Sequence, residues 1–265
     1  MFGKMLKTEV VRAFRPWKIL LTAGLIALGW ICSDMEGLRY RLLEGYTETL
    51  GSVEWFWATM GQEALKCVMV ILLAGLYTNS FCKDNNSSYL RMILTRTDAK
   101  TYTICRFLAN FCVILVTSVM AYYLLVLLLR PWMPLLPNTD YVDVGYYSDM
   151  ALAYPLWIVG ITGLTFGLVS AASSSIGLLY SAYKSNSFVS IALSGLIFWI
   201  AMDYNPFGSR FFDWNGLVSM VNMIGRDVPI IYTFLWSIVY MLGIVGICGF
   251  LFYRRMKWRV KNGYI

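Results

Sequence analysis

Long apolar blocks without charge alternate along this chain with short polar segments. Six of these blocks, residues 19–33, 55–82, 102–129, 151–183, 187–202 and 229–253, approach or exceed what a helix rising about 1.5 Å per residue needs to cross a hydrocarbon core about 30 Å thick. The second, third and fourth exceed that thickness and are expected to tilt or protrude. The fifth is short, so Asn205-Pro206 after it is expected to stay within the interface. Residues 1–15 follow another pattern: Phe2, Met5, Leu6, Val10 and Ala13 form one helical stripe, Lys4, Lys7, Thr8, Arg12 and Arg15 another, and Pro16 ends the run. That is the pattern of an amphipathic helix lying in the membrane interface. A cleavable signal peptide is not expected, because no A-x-A site follows the first apolar block. With no internal repeat and no linker, the pattern predicts an all-α, polytopic membrane protein of six transmembrane helices in one domain, 1–265.

Composition sharpens this reading. Hydrophobic residues make up 58% of the chain, charged residues only 14%, and mean hydropathy is +0.61, which excludes an ordinary soluble domain. Nucleic-acid modules are excluded with it. Histidine is absent, so Ser-His-Asp, Cys-His and HExxH chemistry are unavailable. The six cysteines show neither CxxC nor metal-ligand spacing. With both termini inside, 16 of the 22 Lys and Arg fall on the cytoplasmic side, beside only Glu9, Asp84 and Asp98 among the 15 acids. The positive-inside rule therefore predicts cytoplasmic termini.

Several residues carry candidate chemistry. Between the second and third blocks, residues 83–96 read Lys83-Asp84-Asn85-Asn86-Ser87-Ser88-Tyr89-Leu90-Arg91-Met92-Ile93-Leu94-Thr95-Arg96. The Asp/Asn/Ser cluster should break the second span, and Tyr89, Leu90, Ile93 and Leu94 should form a short surface helix able to dock a partner. The alternative is a solvated basic loop that only sets topology. Glu63 and Lys66 stand at i, i+3 as an ion pair prefers, either facing a bundle interior as part of a pathway or lying at the interface. Gly163 and Gly167 have GxxxG spacing suited to helix packing, inside a subunit or between two. Ser173 to Ser175 could line a polar path, or return their hydroxyls to the preceding turn. Residues 203–228, rich in Gly and aromatics, are too apolar for a solvated loop and are expected to re-enter the membrane from outside.

The segment after the second span resembles the permease subunits of type-2 ATP-binding-cassette exporters, whose loop reads approximately E-x-x-x-G-T-L-x-x-L-L-x-x-R. Asp84 stands at the acidic position, Leu90, Ile93 and Leu94 at the apolar ones and Arg96 at the arginine; Arg106 begins the next span near the family's basic residue, and Ser88 replaces the glycine. The resemblance extends over the chain as topology: an N-terminal interfacial helix, a coupling helix between spans two and three, and a re-entrant segment between spans five and six. It implies a bacterial plasma-membrane permease that performs no catalysis. Such a permease would pair with a second one, the same chain or a paralogue, and be driven by a separate ATPase subunit that binds ATP and Mg. The coupling residues would be Lys83, Asp84, Ser88, Tyr89, Leu90, Arg91, Ile93, Leu94 and Arg96, with Asp84 anchoring the turn through backbone amides. No GxxxxGK[ST] motif occurs, so no P-loop, metal or cofactor is expected on this chain. Small members of the family resemble the permeases that export, or give immunity to, antimicrobial peptides, which suggests a hydrophobic or amphipathic cargo. The competing expectation is a membrane anchor or sensor that transports nothing and docks a cytoplasmic partner.

Overall fold

The computed structural model describes residues 2–44, 51–53, 55, 63–87, 89–136, 148–203, 213–218 and 230–263, and all regular structure among them is helical. The chain begins with α1 (Phe2–Ala13) and turns at Phe14-Arg15 into α2 (Pro16–Ser33), followed by α3 (Met35–Glu44). Pro16 suits the first position of α2, where a backbone N–H would have no helical acceptor. Next come α4 (Glu63–Gly75) and α5 (Ser80–Asn86), two pieces of one apolar run bent by 41°. The bend falls at Leu76 to Asn79, upstream of the Asp/Asn/Ser cluster where the sequence predicts it. The carboxylate of Asp84 is engaged by two arginines, so it does not compete for nearby backbone groups, and the Ser87 N–H donates to Lys83 O to close α5.

After α6 (Tyr89–Leu94), the long α7 (Ala99–Leu129) runs the length of the bundle. The predicted 151–183 span is divided: α8 (Ser148–Ala153) stops at Tyr154, and Pro155 opens α9 (Pro155–Ser181). Proline disfavours helical geometry in the residue before it, and Tyr154 accordingly has φ −142° and ψ 67°. The chain continues through α10 (Ser187–Asp203), α11 (Trp214–Val218) and α12 (Ile230–Lys261), which carries the basic tail as helix past the predicted end at 253.

Four helices, α2, α7, α9 and α12, are long and apolar enough to cross a membrane, and the bent pair α4–α5 makes a fifth if it counts as one span. α10 is apolar but 17 residues long. This is a helical membrane protein. α9 lies at its centre, packed against α7, α10 and α12, whereas α12 leaves most of its surface exposed. Small residues permit this. A Cβ added at Gly163 would lie 3.1 Å from the Val119 Cα, and one at Gly167 3.3 Å from the Leu115 Cα. The Ser118 hydroxyl also donates to Gly163 O at 2.7 Å. Gly163 and Gly167 thus bring α9 against α7 within one chain.

Two apolar clusters form the core. The larger joins Trp30, Val70, Ile114, Tyr122, Phe166 and Phe198 across the bundle. The smaller gathers Met5, Phe81, Leu90, Ile93, Tyr102 and Phe252 at one end, drawing together α1, α5, α6, the start of α7 and the end of α12. Arg259 of α12 donates to Asn85 Oδ1 at 3.0 Å. α1 and the last turns of α12 therefore share one end of the bundle.

Candidate functional site: a charged junction under the surface helix

Four charged side chains meet at that end. Glu9 and Arg12 come from α1, one turn apart; Asp84 comes from α5; Arg106 comes from the second turn of α7. Arg12 Nη1 lies 3.2 Å from both Glu9 Oε1 and Asp84 Oδ2, and its Nη2 donates to Asp84 Oδ1. Arg106 Nη2 donates to Glu9 Oε2 at 3.3 Å and also to Asp84 Oδ2. The Tyr77 hydroxyl, from the bend between α4 and α5, donates to Glu9 Oε2. The Arg106 guanidinium carbon stacks 4.5 Å from the Tyr102 ring centroid, and that of Arg12 lies 5.4 Å from the Tyr89 ring. Glu9 and Arg106 are completely buried. Two acids against two guanidiniums give formal neutrality, which burial of ionised groups requires.

These contacts set the electrostatics of the polar end. Burial disfavours the charged form of Arg12, but its hydrogen bond and attraction to Asp84 outweigh that and raise its pKa. The Arg12 and Arg106 guanidiniums both donate to the Asp84 carboxylate. Asp84 thus pairs with guanidiniums, and the expectation that it anchors its turn through backbone amides is corrected. The arrangement is mechanical: one ionic knot fastens α1, the α4–α5 bend, α5 and α7 together directly beneath α6.

The other predicted residues divide. Lys83, Arg91 and Arg96 are exposed, Tyr89 is 38% exposed and Leu94 half-buried. Leu90 and Ile93 are buried, at 1% and 8% exposure, against Phe81 and Tyr102. As docking side chains they are therefore corrected: they hold α6 to the bundle. Its outward face is formed by Arg91 and Met92, with Arg96 exposed just past its end; Met92 is 58% exposed and was not among the residues expected from the sequence. Ser88 lies outside the described residues.

Lys66 is buried, and its Nζ donates to Asn215 Oδ1 of α11 at 3.4 Å. The side chain of Glu63 lies outside the described residues, as does most of 203–228, of which Asp203 ends α10 and 213–218 contains α11. Ser173, Ser174 and Ser175 are all buried. Ser175 returns its hydroxyl to Ala171 O at 2.8 Å, while Ser174 joins Thr78 at 2.6 Å and Asn110 at 2.7 Å in a polar contact between helices. At the opposite end an apolar groove of about 800 Å³ opens between α7, α9, α11 and α12, lined by Tyr123, Trp157, Leu164, Leu217 and Phe234.

Sequence reasoning missed Glu9, Tyr77 and Tyr102 as parts of one site, and counted Arg106 only at the start of a span. A local signal existed for Glu9. It shares the i, i+4 stripe of Met5 and Ala13, so packing that stripe must bury an acid. No family model and no curated protein matches this chain.

Proposed function

We propose that this chain is the membrane-spanning permease of an ATP-driven exporter of the type-2 ATP-binding-cassette class, with six spans and cytoplasmic termini in a bacterial plasma membrane. The observation that carries the reading is the charged junction beneath α6. A short surface helix with an exposed Arg91 and Met92 face, and Arg96 just past its end, sits on a base keyed by Asp84 and Arg106 into a span of 31 residues. A partner pushing on that face would move the end of α7 and, through Arg12, α1 as well. ATP and Mg would belong to the separate ATPase subunit, and a second permease would complete the path. The positive-inside distribution of Lys and Arg supports placing this end in the cytoplasm. The apolar groove at the other end supports a hydrophobic or amphipathic cargo, for which we infer a peptide.

Purification of the tagged chain in mild detergent, with mass spectrometry of what accompanies it, tests this. The expected result is a stoichiometric ATPase with vanadate-sensitive turnover that Met92→Asp releases. A chain that retains no ATPase even after gentle crosslinking overturns the reading in favour of an anchor or sensor.

A further inference from the structure

A second groove, of about 400 Å³, runs between α7 and α12 at the charged end of the bundle. Its walls are Phe107, Phe111, Val245 and Phe250, and Gly246 and Gly249 leave its α12 side without a ridge. Nothing lies within 4 Å of a Cβ placed on Gly246, so the space there is open. Lys100, exposed in the first turn of α7, is the charged residue of the lining. The Arg254 guanidinium carbon lies 5.9 Å from the ring of Phe250, adding a second exposed cation beside the groove. Among the described residues neither cation forms an ion pair, and no acid lines the groove.

We propose that this groove binds one anionic phospholipid, its alkyl chain along Phe107 and Gly246 and its phosphate between Lys100 and Arg254. The chemistry selects this occupant. Both helices that form the groove are long and apolar enough to cross a membrane, and Ile104, Leu108 and Leu242 along it are exposed, so hydrocarbon surrounds it. A peptide there would need partners for its backbone polar groups. The Thr103 hydroxyl spends its proton on Ala99 O at 2.8 Å and keeps only acceptor capacity, far short of what a peptide backbone needs. A lipid brings an apolar body with its anion at one end, matching cations confined to one end of an apolar slot, as basic pockets between membrane helices do. The inference does not depend on the transporter reading.

The test is native mass spectrometry of the full chain released from mixed micelles containing equal phosphatidylglycerol and phosphatidylcholine. Wild type should retain one phosphatidylglycerol in preference. The double variant Lys100→Ala with Arg254→Ala should lose that preference by about tenfold or more, at about a few-fold per cation near the surface. Lys100→Arg with Arg254→Lys should keep it. Gly246→Leu, which fills the slot, should reduce retention of both lipids, with its melting temperature checked separately. Equal retention of the two lipids by wild type, or an undiminished preference in the Lys100→Ala, Arg254→Ala variant, would overturn the proposal.

Discussion

Arg106 carries a full positive charge into a buried place, and among the described residues two carboxylates and two aromatic faces balance it. Removing one partner from such a buried pair leaves the other uncompensated, at about 3–5 kcal/mol. Glu9→Gln should therefore lower stability in detergent by about that much, seen as a fall in the melting temperature. Arg106→Lys should also destabilise, because an ammonium keeps the charge but loses the planar face that stacks on Tyr102. A double-mutant cycle between Glu9→Gln and Arg106→Gln measures the coupling directly; single-variant losses that simply add would refute the pairing. Asp84→Asn, which weakens the acceptor shared by Arg12 and Arg106, should lower the melting temperature as Glu9→Gln does.

At the scale of elements, α6 presents two faces with opposite roles. Leu90→Asp forces a charge among Phe81, Ile93 and Tyr102 and should unfold this end of the bundle, whereas Met92→Asp points outward and should leave the melting temperature unchanged. Equal effects of the two would refute the assigned orientation. Between α7 and α9 the contact is set by glycine: Gly163→Leu should destabilise by about 1–3 kcal/mol, because the Val119 backbone stands where the side chain would go. The long helices were legible in the sequence because uninterrupted apolar length is a local property. The orientation of α6 was not, because Leu90 and Ile93 give the same pattern whether that face meets a partner or its own bundle. Neither was the bend: helix-breaking residues stand at Asp84 to Ser87, but the distant arginines that quiet Asp84 are invisible to any local window. Glu9 and Arg106, 97 positions apart, meet only after the chain has folded.

For the molecule as a whole, the distribution of Lys and Arg along the sequence supports the proposed orientation. Tyr154 sits beside the start of α9 and Asn262 follows α12, so these two positions report opposite ends of the bundle. With the proposed cytoplasmic termini, and with the six native cysteines replaced, Tyr154→Cys should react with an impermeant thiol reagent in intact cells and Asn262→Cys only after lysis; the reverse order would overturn the proposed orientation. The ionic knot has a further consequence for how the protein is made. Glu9 leaves the ribosome 97 residues before Arg106, a delay of roughly 5 to 20 s at about 5–20 residues per second. During that interval α1 carries an acid that its eventual pocket cannot yet receive, so the helix must wait at the membrane surface. Its seat closes only when the third long apolar segment emerges, so α1 reaches its final place after helices that are synthesised later than itself.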